Sequence, residues 1–313
     1  MRSVAPSTPG TDLPARIGNT PLLGLRRLAP GVEGVDLLGK AEWTNPGGSV
    51  KDRAALAIVR DAMQSGALAP GGTLLDATSG NTGISYAILG AALGFSVRLV
   101  MPANAGPERR RILEVLGAHV VWTDALEGME CAIATARTLA AKHPNECFYA
   151  DQYGNDANWR AHYDGTGVEI LEQTRGRLTH FIAGLGTSGT FVGTVRRLRQ
   201  AGSRAHCVAV IPDSPFHGLE GLKHIPTADA PAIYDPSLAD EVVEVSTEDA
   251  YAMVRWLARH EGHLVGPSSG AALVAARRLA QRDGAGTYVV VLPDSALKYL
   301  NDRLLADGEA GAA

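Results

Sequence analysis

Asn45-Pro46-Gly47-Gly48-Ser49-Val50-Lys51-Asp52-Arg53 lies between a strand pattern and a helix pattern. Pro46 presets φ and the paired glycines tolerate positive φ, so the stretch reads as a tight strand-to-helix turn. The strand before it is expected over residues 35–42. The helix after it carries Ala54, Ala55, Leu56, Ile58, Val59 and Ala62 near one face. Ser49 is the expected N-cap. Lys51 then falls in the first turn, where the helix macrodipole favours anions over cations. That field and the free N–H groups lower an amine's pKa or hold an anion. An amine so lowered is suited to Schiff-base chemistry. Lys51 taken alone reads as a surface lysine beside Asp52; other stretches of the chain reverse that reading.

Outward from this turn, strands and helices alternate. Residues 17–22 form a turn signal leading into a short extended piece. Strands are expected over 73–76, 97–101, 119–122 and 147–150, with helices over 81–93, 107–116 and 126–142. A second series has helices over 158–174, 189–200, 247–261 and 268–281, and strands over 178–183, 206–211, 241–245 and 287–292. Residues 212–236 form a long proline-rich loop, and a loop of that length is usually functional or disordered. This alternation predicts the α/β class, with mostly parallel sheets covered by helices on both faces.

The 313 residues suit two domains or one large α/β unit. The best break lies near residues 151–158. A net charge of −4 advertises no nucleic-acid surface, and the low aromatic content argues against a platform for stacking bases. No apolar run approaches a membrane span. Residues 1–10 read as a disordered leader without a signal core, and the residues after Leu304 as a frayed tail. Cys131, Cys147 and Cys207 are odd in number and widely spaced, which fits a reducing cytoplasm.

Three more strand-to-helix turns carry chemistry. Thr78-Ser79-Gly80-Asn81-Thr82-Gly83 offers hydroxyls, an amide and backbone N–H groups at a helix start, a cradle for a carboxylate or phosphate. Gly184-Leu185-Gly186-Thr187-Ser188-Gly189-Thr190 matches G-x-G-x-x-G, with Asp213 at the end of the next strand. That is a tempting dinucleotide fingerprint, and it opens an alternative reading as an NAD-dependent Rossmann enzyme. The added hydroxyls of Thr187, Ser188 and Thr190 suit a terminal phosphate better than a pyrophosphate. Gly266-Pro267-Ser268-Ser269-Gly270 opens a further helix and alone reads as a plain cap. No H-E-x-x-H, C-x-x-C or Walker motif is present. His162, His180, His217 and His224 are scattered and read as capping or packing residues.

Taken together, in this order, the stretches at 17–22, 45–53, 78–83, 184–190 and 268–270 resemble the cysteine synthase family of fold-type II pyridoxal-phosphate enzymes. The resemblance implies a tryptophan synthase β-like architecture of two α/β domains. Residues 1–44 would pack with the larger domain. Residues 45–152 would form the smaller domain with Lys51 and the Asn81 loop, and residues 153–313 the larger one with the phosphate cup and Ser268.

The resemblance also implies site roles. Lys51 would hold pyridoxal 5'-phosphate as an internal aldimine and serve as catalytic base. Asn81 would bond the cofactor's ring hydroxyl. Gly186, Thr187, Ser188, Gly189 and Thr190 would cup its phosphate, and Ser268 would face the pyridine nitrogen. Thr78, Ser79 and Thr82 would hold the substrate carboxylate, with Gln152 helping. The implied reaction is β-replacement through an α-aminoacrylate, making L-cysteine from O-acetyl-L-serine or O-phospho-L-serine. Another nucleophile, giving 2,3-diaminopropionate or cystathionine, is the alternative within the class. Lys223, in the long loop, stands where some relatives place a phosphate-binding arginine; pairing with Glu220 is its competing reading. The resemblance further implies a cytoplasmic homodimer, with sulfide or a sulfur-carrier protein as donor. Two departures stand out: Pro267 replaces a small residue, and residues 293–300 replace the commoner Gly-Glu-Arg-Tyr-Leu ending.

Overall fold

The computed structural model describes residues 12–300 and 303–305. The expected leader lies outside the described residues, as does the expected tail apart from Leu305. Among the described residues the strands form two sheets.

The larger sheet contains β1 (Leu22–Gly24), β2 (Val35–Ala41), β7 (His180–Gly184), β8 (His206–Pro212), β9 (Glu241–Val245) and β10 (Gly286–Leu292). Their order is β1-β2-β10-β7-β8-β9. Only the β1–β2 pair is antiparallel, with Leu22 opposite Lys40. The smaller sheet contains β3 (Thr73–Ala77), β4 (Ser96–Pro102), β5 (His119–Thr123) and β6 (Phe148–Tyr149), all parallel, in the order β5-β4-β3-β6. Parallel strands need covered crossovers, and the apolar pattern supplies both covers.

Successive residues of β10 show how. Tyr288, Val290 and Leu292 enter one core with α8 (Thr247–Glu261) and α9 (Pro267–Asp283). Val289 and Val291 enter the opposite core with α6 (Gly167–Thr174) and α7 (Gly189–Gln200). The small sheet repeats this: Leu74 and Leu99 face α1 (Lys51–Gln64) and α2 (Asn81–Leu93). Leu75, Ala77 and Val100 face α4 (Gly128–Lys142). The two-residue period of a strand places these alternating side chains in separate layers. α3 (Pro107–Val115) follows β4 and carries Arg109 inward.

Two expectations are corrected. The single helix expected over 158–174 is α5 (Asp156–Ala161), a π-helical turn (His162–Thr166) and α6. At this place α7 comes so close that a Cβ on Gly193 would lie 2.0 Å from the Trp159 carbonyl oxygen. Ser49 is not the N-cap of α1; Val50 is, without a side-chain cap. Ser49 instead forms a bridge with Asp294, and the Val50 N–H donates to Pro293 O at 2.8 Å. Ser49 Oγ also accepts from the Lys51 N–H at 3.3 Å, so the turn is held both locally and from across the sheet.

Candidate active site

The carboxyl ends of β2, β3, β7 and β10 each deliver one loop to a common crevice, as parallel α/β sheets do. In the loop after β2, the Gly47 N–H donates to Asp52 Oδ2 at 2.5 Å, and a Cβ on Gly47 would strike the Asp52 carboxylate at 2.4 Å. Asn45 Nδ2 donates to Glu42 O and Ser49 O at 2.9 and 3.1 Å. This turn sets Lys51 as the first residue of α1. Its amine faces a cavity of about 550 Å³ and a smaller one beside it. Burial lowers the Lys51 pKa; Asp294 opposes the shift and Lys298 adds to it.

The loop after β3 lines the same cavity with Thr78, Ser79, Asn81 and Thr82. Thr78 Oγ1 accepts from the Gly80 N–H at 3.0 Å, which folds the loop onto the start of α2. No side chain caps α2, so its first N–H groups face outward unpaired by the helix. Thr82 Oγ1 donates to Gln152 Oε1 at 2.7 Å, and Gln152 Nε2 donates to Ala77 O at 2.6 Å. Gln152 thus lines the cavity and steadies Thr82.

The loop after β7 brings Gly186, Thr187, Ser188 and Thr190 to the smaller cavity, opposite Lys51 and Ser268. Ser188 takes a left-handed φ of 65° and caps α7 by position. Its hydroxyl is buried with no partner among the described residues. Thr187 Oγ1 accepts from Asn158 Nδ2 at 3.0 Å, and Thr190 Oγ1 lies 3.3 Å from His162 Nε2. A Cβ on Gly186 would sit 2.1 Å from Gly221 O, and one on Gly189 2.0 Å from Asn158 Oδ1. Bare backbone is therefore required in this loop. Burial pushes His162 well below its ordinary pKa, keeping it neutral beside the cup. Asp213 does not line the cavities that Gly186 lines.

Pro267 occupies the first position of α9, where its fixed φ and missing N–H suit a helix start. The substitution therefore leaves the helix intact, with buried Ser268 next in line.

Lys223 lines the cavity, but its partner differs from the expected one. Lys223 Nζ pairs with Glu130 Oε1 at 2.5 Å and lies over the Tyr153 ring. Glu220 instead pairs with Arg109. Arg109 is buried, lines the cavity and lies 4.9 Å from the Tyr299 ring centre. Arg109, Asp294, Lys298 and Tyr299 also adjoin the site, and no local motif in the sequence marks them. The altered ending at 293–300 was the one available signal. His217 and His224 also line the cavity, while His180 stacks on Tyr288 at 4.1 Å as a packing residue.

Residues 13–294 match the family model of the pyridoxal-phosphate dependent enzymes. A cysteine synthase of Aquifex aeolicus is 48% identical over 297 residues, 93% of this chain and 91% of that protein. The chain belongs to the cysteine synthase family. Cysteine synthase B of Escherichia coli is 38% identical, covering 93% of this chain and 95% of that protein. Among solved structures, the cysteine synthase of Entamoeba histolytica superposes with a TM-score of 0.91 at 32% identity, covering 100% of this chain and 95% of that one. O-ureido-L-serine synthase superposes at 0.89 with 35% identity, covering 97% of each chain.

The residues present fit the cofactor of this family. The unpartnered Ser188 hydroxyl, the start of α7 and the two crowded glycines form an anion cup. Lys51 shares the small cavity with that cup and Ser268. The cysteine synthase family chemistry, pyridoxal-phosphate-dependent β-replacement, therefore has its donor set in one crevice.

Proposed function

We propose that this chain makes L-cysteine from an activated L-serine, O-acetyl-L-serine or O-phospho-L-serine, and a sulfur donor. The observation that carries this reading is the enclosed Lys51 amine, which shares one crevice with the Thr78–Thr82 loop and the Ser188 cup. Pyridoxal 5'-phosphate, when bound, supplies an electron sink for charge developing at the substrate Cα. Lys51 Nζ would hold the cofactor covalently and later accept the Cα proton. A lowered pKa enlarges the neutral fraction needed for both tasks. Gly186, Thr187, Ser188, Gly189 and Thr190 would bind the phosphate, and Asn81 the ring hydroxyl. Ser268 would face the ring nitrogen; a hydroxyl there, unlike a carboxylate, does not hold that nitrogen protonated. Thr78, Ser79, Thr82 and the first N–H groups of α2 would orient the substrate carboxylate, with Gln152 fixing Thr82. Lys223, on the same cavity wall, would meet the leaving group.

The likeness to O-ureido-L-serine synthase favours a second reading, β-replacement with a different nucleophile on the same scaffold. The chain is proposed to act as a cytoplasmic homodimer in two domains, with sulfide or a carrier protein delivering the sulfur.

The test is a pair of measurements on the purified protein. The wild type should be yellow, lose its visible band on borohydride treatment, and turn over O-acetyl-L-serine or O-phospho-L-serine with sulfide. Lys51→Ala should lose the reducible band and the turnover while keeping its far-UV circular dichroism. A Lys51→Ala protein with wild-type turnover overturns the assignment of Lys51. A wild type that turns over activated serine only with an amine selects the second reading.

A further inference from the structure

After β10 the chain folds back through Pro293–Tyr299 and reaches two turns from elsewhere in the sequence. Lys298 Nζ donates to Gly47 O at 2.7 Å and to Asn81 Oδ1 at 2.8 Å. Asn81 Nδ2 donates to Asp294 Oδ2 at 2.7 Å, and the same oxygen accepts from Tyr299 Oη at 2.6 Å. Both ends of the Asn81 amide are thus gripped, its acceptor by an ammonium and its donor by a carboxylate. Rotating the amide by half a turn would set NH₂ against NH₃⁺ and C=O against a carboxylate. One orientation is therefore strongly preferred.

The path of the Lys298 side chain is also provided for. Gly48 has φ +73°, and a Cβ there would lie 3.2 Å from Lys298 Cε. The two contacts tie the turn before α1 and the start of α2 to the loop after β10. Asp294 and Asp52 offset the Lys298 charge, while Arg109 and Lys51 stand as like charges nearby. The ammonium is held by a built network rather than by solvent.

We propose that Lys298 is a positioning residue that locks the Asn81 amide in the orientation used to bind the cofactor. This rests on the reading that Asn81 touches pyridoxal phosphate, and it places the altered ending at 293–300 within the site. Charge-assisted hydrogen bonds contribute enough that losing one should weaken cofactor binding by about ten- to a hundred-fold.

The experiment is a double-mutant cycle read on cofactor affinity. Apoproteins of the wild type, Lys298→Met, Asn81→Ala and the double variant are titrated with pyridoxal phosphate, with thermal unfolding of each apoprotein as the control. Lys298→Met should weaken binding about ten- to a hundred-fold, with the apoprotein melting as wild type does. In the Asn81→Ala background the same change should cost less than about threefold, because the residue acts through Asn81. Lys298→Arg, which keeps charge and donors, should recover most of the affinity. If Lys298→Met fails to fold, Lys298→Gln is read in the same way. Wild-type affinity in Lys298→Met, or an equal loss in both backgrounds, overturns the proposal. An Asn81→Ala protein that binds as tightly as wild type overturns the underlying reading of Asn81, and the proposal with it.

Discussion

Arg53 and Glu169, 116 residues apart, meet in a two-pronged ion pair, with Nη1 to Oε1 at 2.6 Å and Nη2 to Oε2 at 2.7 Å. Arg53 stands two residues after Lys51 on α1, and Glu169 lies on α6. Arg53 Nε also binds Glu42 Oε2 at 2.7 Å, and Lys40 Nζ binds Glu169 Oε2 at 2.6 Å. The helix that presents Lys51 is thereby fixed to β2 and α6 by a buried, fully hydrogen-bonded charge network. Removing one member leaves the others uncompensated.

Glu169→Gln should therefore destabilise the fold by about 3–5 kcal/mol, read as a shift in urea midpoint. The pH dependence carries a second signature. Burial pushes the Glu169 carboxyl up, but Arg53 and Lys40 outweigh it and leave the group at about 2, below its ordinary 4.5. A carboxylate with a depressed folded pKa stabilises the fold above its unfolded pKa and loses that contribution as pH falls through the folded value. The wild type should lose this stability between pH 4.5 and 2, and Glu169→Gln should show a shallower fall. Parallel pH curves would show that the carboxylate contributes nothing of this kind.

Gly186→Ala tests the phosphate cup. The added Cβ would meet Gly221 O at 2.1 Å, a backbone atom with no rotamer by which to yield. Separating the two loops should cost about 1–3 kcal/mol and weaken pyridoxal phosphate by about ten-fold or more. Equilibrium titration of the apoprotein measures this. Unchanged affinity would show that the cup tolerates an opening at Gly221.

Lys223→Ala separates the two leaving groups. Its pair with Glu130 leaves the partner half exposed, and such pairs contribute roughly 0–1 kcal/mol, so the melting temperature should barely move. If Lys223 turns to a phosphate leaving group, kcat/KM for O-phospho-L-serine should fall by about ten- to a hundred-fold. O-acetyl-L-serine should be nearly unaffected. Initial rates with both substrates decide it, and equal losses reject the phosphate role.

The sequence alone determined the alternation of strands and helices, the strand-to-helix turns at 45–53, 78–83 and 184–190 and the place of Lys51 in a first helical turn; the fourth expected turn, at 266–270, instead joins α8 to α9. These follow from interactions over a few residues: the φ restriction of proline, the latitude of glycine, and apolar periods of two and 3.6. Gly184–Thr190 was legible as an anion cup for the same reason. Tertiary structure alone decided which charges meet. Lys298 reaches Asn81 across 217 positions, and Lys223 pairs with Glu130, 93 positions away, instead of the nearer Glu220. It also replaced the Ser49 cap by a bridge to Asp294 and broke one expected helix where Gly193 presses on Trp159. A side chain's partner depends on which groups the folded backbone brings within about 3 Å, and no local propensity encodes that distance.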